Sequence, residues 1–238
     1  MGKWPYYRNV LDGMTSNLNK TLDLDQPKDR QQAYRDLYWG DHGFLRVWFH
    51  NHREIGGDMW RANQPSPKRI ATLAEMGFKT IINLRGESPK GFYLLEKEAC
   101  AAHGIDLINY RMYSRDVHTK EAIFGARDLF ENISYPALMH CKSGADRTGI
   151  MGVLYRHFHL GEPIEEALGQ LSLRYLHVKQ GKTGMLDFFF HDYLDYAKHH
   201  NVTFTEWVES VYDPADVKAR FMTGWMGSLL TEKVLKRE

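Results

Sequence analysis

Cys141 and Arg147 stand six positions apart in His140-Cys141-Lys142-Ser143-Gly144-Ala145-Asp146-Arg147-Thr148-Gly149, and a thiol and a guanidinium at that spacing suit capture and transfer of a tetrahedral dianion. A loop wrapped at a helix N-terminus turns successive backbone N–H groups inward and adds the positive end of the helix dipole. Lys142, Ser143, Gly144, Ala145 and Asp146 would line that cradle, with Gly144 taking conformations that a side chain obstructs. The same donors stabilise a thiolate, so Cys141 is expected to ionise below the roughly 8.5 of a free cysteine and to be nucleophilic at neutral pH. Arg147 offers a planar fork for two equatorial phosphoryl oxygens and keeps its charge throughout. Thr148 can donate its hydroxyl to the sulfur and help the thiolate leave when water attacks a thiophosphate intermediate. Asp146 sits awkwardly beside a dianion; it orients a water or substrate hydroxyl, or it bonds Arg147 or a structural partner. This chemistry requires neither metal nor cofactor.

The loop must hang between a strand and a helix, and the flanking pattern supplies both. Pro136 to Met139 reads as a short buried strand and Gly149 to Leu160 as a helix. Upstream, a helix opens at Pro65-Ser66-Pro67 and ends at Gly77, Thr80 to Leu84 reads as a buried strand, and Phe92 to His103 reads as a helix stopped by Gly104. Ile105 to Tyr110 reads as another strand and Lys120 to Asn132 as a helix. Pro163 to Leu176 and Met185 to His199 continue the helical pattern. Such alternation predicts an α/β fold: a mixed, mostly parallel central sheet flanked by helices, with ligands beyond the carboxyl ends of the strands. Residues 1–45 read as an N-terminal extension, disordered at its start and packed on the body later, 46–199 as the catalytic domain, and 200–238 as a helical C-terminal extension.

At 238 residues with a formal charge of +1, the chain gives no global reason to expect nucleic-acid binding, so anion binding must be local. Two cysteines argue against a disulfide framework, and nothing resembles paired zinc-ligand spacing, which suits a reduced compartment. Cys100, on a helix before the Ile105 strand, gives no reason to expect contact with Cys141. No stretch reaches the roughly 20 apolar residues of a membrane span, and the N-terminus has no signal-like apolar core. The chain therefore reads as soluble and cytoplasmic. Trp39, Asp41, His42, His50 and His52 follow no metal-ligand spacing and are expected to serve packing and surface.

The loop resembles the signature loop of the cysteine-dependent protein-tyrosine-phosphatase superfamily, and the surrounding order resembles its compact dual-specificity branch. Asp58 to Ser66 and Ile81 to Arg85 are similar to the opening segments of bacterial and fungal members. The resemblance spans Asp58 to His177. It implies a phosphatase-like fold, hydrolysis through a phosphocysteine, and a phosphorylated substrate: a protein, an inositol phosphate or pyrophosphate, or a phospholipid head group. It also implies an aspartate general acid on a loop upstream of the cysteine. Asp116 fits, 25 residues before Cys141 in Tyr113-Ser114-Arg115-Asp116-Val117-His118 and past the Ile105 strand. His118, near a helix start, is expected to be exposed and ranks below it.

Arg85 at a strand end, Arg115 beside the proposed acid, and Lys142 are the further cations expected at the pocket, favouring substrates richer in negative charge. In the tail, Phe221, Met222, Trp225, Met226, Leu229, Leu230 and Val234 fall near one helical face. Two roles are open to it: docking on the core, or peripheral contact with an anionic membrane. Two other readings of the loop also stand, a non-catalytic phosphate-binding module and a sulfur-transfer enzyme.

Overall fold

Short, largely apolar runs form the centre of the sheet, where they are buried on both faces. The computed structural model describes residues 22–46 and 48–235, with side chains as far as residue 227. Strands β1 (Arg53–Gly56), β2 (Met59–Ala62), β3 (Thr80–Asn83), β4 (Asp106–Asn109) and β5 (Ala137–His140) lie in the order β1-β2-β5-β3-β4. Only the β1–β2 pair is antiparallel. All residues of β3 and β5 are buried, and alternate side chains divide between two cores, Ile82 and Met139 on one face, Ile81 and Leu138 on the other. The fold is thus the mixed, mostly parallel α/β sheet expected.

Helices α1 (Pro27–Arg35) and α2 (Gly43–Arg46) precede the sheet; α3 (Pro67–Glu75), α4 (Gly91–Ala102), α5 (Lys120–Asn132) and α6 (Asp146–Phe158) alternate with it. After them come α7 (Ile164–Ala167), α8 (Met185–Ala197), α9 (Phe204–Ser210) and α10 (Pro214–Leu235). One core takes Ile70 and Leu73 from α3 with Ala99 and Cys100 from α4; the other takes α5, α6, α8 and α9. Cys100 and Cys141 are both free thiols and belong to different cores. Burial, with Glu96 nearby, pushes the Cys100 thiol up to about 12.

Three differences from the sequence reading matter for the site. β1 and β2 escape that reading because β1, Arg53-Glu54-Ile55-Gly56, is polar and partly exposed and β2 carries a wholly buried arginine, Arg61, where a strand pattern expects an apolar side chain. The helix expected over 163–176 is only α7, continuing in 3-10 turns at Leu168–Gln170 and Leu173–Tyr175. Gln170 turns both its main-chain and side-chain oxygens to Arg61, and Leu176 adopts a positive φ of 64°, so the helix stops there. Third, α6 begins at Asp146, inside the motif, which places Arg147 and Thr148 in its first turn.

In the extension, Ala33 and Leu37 pack against Phe92, Tyr93 and Leu95 of α4. The disorder expected at the chain start lies outside the described residues. Val217 of α10 is buried in the main core, Phe221 packs on Phe188 with ring centroids 5.7 Å apart, and Arg220 bonds Asp192. The early part of the tail helix is therefore docked on the core; the side chains of Leu229, Leu230 and Val234 lie outside the described ones. Among the described residues no helix is long and apolar enough to cross a membrane.

Candidate active site

β5 lies at the centre of the sheet, between β2 and β3, and delivers Cys141, 2% exposed, to the carboxyl edge. The chain then curls through Gly144, whose φ of +72° and whose packing leave no room for a side chain: a Cβ there would stand 2.7 Å from the Ala62 carbonyl. Gly144 donates its N–H to Cys141 Sγ at 3.2 Å. The buried Thr148 hydroxyl makes no hydrogen bond of full geometry and faces the sulfur. Burial opposes ionisation of the thiol, yet the Arg147 charge, the Thr148 hydroxyl and N–H, and the Gly144 N–H outweigh it and hold Cys141 below the usual thiol range. Among the described residues no carboxylate lies within ion-pair distance of Arg147, and its charge favours the thiolate.

The loop's carbonyls are held from outside, which leaves its N–H groups free to face inward. Asn51 Nδ2 donates to the carbonyls of Ser143, Gly144 and Tyr175 at 3.2, 2.9 and 3.1 Å. Arg61 Nη2 donates to Gly144 O at 2.7 Å and Ala145 O at 3.2 Å, while Nη1 takes Gln170 O and Oε1. The guanidinium lies 3.8 Å from the Tyr175 ring centroid. Burial pulls Arg61 down to about 10, with Tyr175 and Cys141 pulling the other way, so it remains a cation at neutral pH beneath the nucleophile. Behind the loop His140, itself wholly buried, sets Nδ1 at 3.3 Å from Cys141 O and Nε2 at 2.6 Å from Glu96 Oε1. Gln64 donates to the other Glu96 oxygen at 2.9 Å.

The remaining expected site residues are distributed less simply. Lys142 Nζ lies 3.3 Å from His42 Nδ1 and 3.7 Å from Asp41 Oδ1. Arg85 is engaged bidentately by Asp41 at 2.7 and 2.8 Å, also donates to Gln64, and covers the Phe92 ring. Arg46 adds a third cation at 2.9 Å from Asp41. Burial works against the Asp41 charge, but Arg85, Arg46 and Lys142 hold the carboxyl below its ordinary range. Asp146 of the loop bonds His177 rather than Arg147. Asp116 accepts from the Val117 N–H and pairs with Lys218 of α10 at 2.8 Å; among the described residues it makes no hydrogen bond or ion pair with the cysteine loop. Arg115 is exposed and likewise makes none. His118, expected to be exposed, is instead 5% exposed; it accepts the Tyr113 N–H on Nε2 and the Tyr212 hydroxyl on its carbonyl, which fixes the loop carrying Asp116. Burial lowers it to about 4, a neutral structural imidazole at neutral pH.

Asn51, Arg61, Glu96, His177 and Asp187 are the partners that motif reading missed. Arg61 had a signal, a charged residue inside an otherwise apolar run ahead of a helix; the others had none that spacing could expose.

Residues 49–185, more than half the chain, match the model of a family described as DSP-PTPase phosphatase fused to NAD+ kinase. Among solved structures the chain is similar to Tk-PTP in its active form, at 17% identity over 60% of this chain and 98% of that one, TM-score 0.48. It is also similar to the core catalytic domain of the PP-IP phosphatase SIW14 from S. cerevisiae in complex with citrate, at 18% identity over 63% and 93%, TM-score 0.47. P. aeruginosa TpbA in complex with pTyr gives 17% identity over 52% and 74%, TM-score 0.43. No curated protein matches the chain.

Proposed function

The chain belongs to this family of dual-specificity-type phosphatases and is a cysteine-dependent phosphatase, and on that premise we propose that it hydrolyses phosphomonoesters through a phosphocysteine on Cys141. What carries the proposal is the buried thiol held below its ordinary range by Arg147, Thr148 and the Gly144 N–H. Cys141 Sγ attacks phosphorus, the P–O bond to the leaving group breaks, and Asp116 gives the departing oxygen its proton. Water then attacks phosphorus, returns a proton to Asp116, and expels the thiolate with Thr148 donating to it. Arg147 and the loop N–H groups hold the equatorial oxygens, where charge spreads during both transfers.

Rapid acid quench of the protein with a labelled aryl phosphate is expected to leave label on the peptide carrying Cys141, with a burst of phenol equal to the enzyme. Steady turnover with no covalent label would remove the intermediate. For Asp116, the Asn variant is expected to lose on the order of a hundredfold with an alkyl phosphate and much less with an activated aryl ester, which leaves without help. Equal losses on both esters would take Asp116 out of the proton-transfer role.

For the substrate, the charge arrangement at the pocket supports a single phosphate group, as on a phosphoprotein. Arg85 and Lys142, two cations that a second phosphate would need, already face Asp41. A phosphopeptide is expected to be a better substrate than an inositol pyrophosphate by kcat/KM. Preference for the pyrophosphate would favour the more highly charged substrate class instead.

A further inference from the structure

His177 follows the turn at Leu173–Tyr175 and is buried, its side chain 1% exposed. One ring nitrogen, Nδ1, lies 2.8 Å from Asp146 Oδ1 in the cysteine loop; the other, Nε2, lies 2.7 Å from Asp187 Oδ2 on α8. Both carboxylates are partly buried, at 25% and 13% exposure. Ionised carboxylates only accept hydrogen bonds, and a neutral imidazole has one N–H. With both carboxylates ionised, a neutral ring here would turn a lone pair on a carboxylate oxygen at hydrogen-bond distance, so the geometry suits a proton on each nitrogen.

Asp146 occupies the first turn of α6, beside Arg147, where the loop is read as receiving a phosphate dianion. Uncompensated, its charge would oppose that dianion in a poorly screened site. We infer that His177, held cationic by Asp187, is a positioning residue of the phosphate cradle that cancels the charge of Asp146 and turns its carboxylate away from the bound phosphoryl group. The inference rests on the loop being a phosphate site, as proposed above. Asp187 has the supporting part: it fixes the ring and shares the proton's charge from the side opposite the loop. Burial disfavours the imidazolium, but the bonds to Asp146 and Asp187 outweigh it and raise His177 to about 9. Asp146 on α6 and Asp187 on α8 are the charged groups facing the ring among the described residues. A base raised in the folded protein contributes stability that is fully present below its unfolded value and is lost as pH rises through the folded one, here about 9.

The test is inhibition by inorganic phosphate, read with an activated aryl phosphate as reporter substrate. His177→Gln is expected to weaken phosphate inhibition and raise KM by about 10- to 100-fold, with a smaller change in kcat. Adding Asp146→Asn to His177→Gln removes both charges and is expected to restore most of the phosphate affinity, a recovery that a purely structural pin between α6 and α8 would not give. Wild-type inhibition at His177→Gln, or no recovery in a double variant that folds, overturns the inference. Should His177→Gln fail to fold, the wild-type protein serves: phosphate inhibition is expected to weaken as pH rises through about 9, and a flat profile to pH 10 overturns it. If the wild-type protein neither binds phosphate nor turns over the ester, the underlying phosphatase reading fails instead, so the two failures are distinguishable.

Discussion

Cys141→Ser is expected to lower turnover of an aryl phosphate by at least about ten-thousandfold, the scale on which loss of a nucleophile is felt when its partners remain. The reason lies in ionisation. The Arg147 charge, the Thr148 hydroxyl and N–H, and the Gly144 N–H overcome the burial penalty for a thiol and leave it below its normal range. A serine hydroxyl starts many decades higher, and the same donors cannot bring it to an alkoxide at neutral pH. They can still receive phosphate, because the N–H cradle and Arg147 are untouched. KM or phosphate inhibition is therefore expected to stay near wild type while kcat collapses, which makes the variant a substrate trap. The pH profile gives the complementary signature. In the wild-type protein the acid limb of kcat/KM, where the thiol ionises, should fall below the ordinary thiol range. A Cys141→Ser protein with a wild-type rate, or a wild-type rate still climbing between pH 8 and about 9, would sink the nucleophile assignment.

The nucleophile was legible because everything that makes it reactive is local: one strand, one turn at Gly144 and the first turn of one helix. The sheet was legible for a related reason, since β3 and β5 are wholly buried runs whose composition announces them. The scaffold around the loop was not. Arg61 and Asn51 reach the loop from 83 and 93 residues away, and Asp187 reaches His177 only after the chain has turned through two irregular segments. No spacing rule carries the two long-range contacts, which depend on the strand order that places β2 beside β5, and the irregular path between His177 and Asp187 hides the third. Charge was misread for the same reason. Arg85 and Lys142 look free in sequence, yet Asp41, in a segment of the extension that seemed to be packing alone, draws both together with Arg46. Asp146, awkward beside a dianion when read alone, acquires its counter-charge only through His177.

Arg61→Met is expected to cost about 3–5 kcal/mol of stability and to lower kcat/KM by at least a hundredfold in whatever fraction remains folded. Methionine fills much of the volume, so the loss comes from unpaired acceptors rather than from a cavity. Both Gln170 oxygens would remain buried with their donor gone, and each unsatisfied group costs about 1–3 kcal/mol before relaxation, whereas Gly144 O keeps Asn51 and Ala145 O keeps the Gly149 N–H. Against a total stability of about 5–15 kcal/mol the change is large, and for a chain of this length it corresponds to a fall in Tm of about 10 °C or more. The catalytic loss follows from the same bonds. Without Arg61, Gly144 O is held by Asn51 alone and Ala145 O by the Gly149 N–H alone, so the peptide planes are less firmly turned outward and the N–H groups that should face phosphate lose part of their common direction. Arg61→Lys separates the two effects: an ammonium keeps the buried charge but cannot fork across the Gly144, Ala145 and Gln170 oxygens at once. That variant is expected to fold with a smaller fall in Tm yet to stay well below wild type in kcat/KM. Thermal denaturation and steady-state kinetics on both proteins decide the matter. If Arg61→Met keeps its Tm and its turnover, the carbonyl clamp does not shape the cradle, and the loop's inward N–H geometry must be intrinsic to the turn at Gly144.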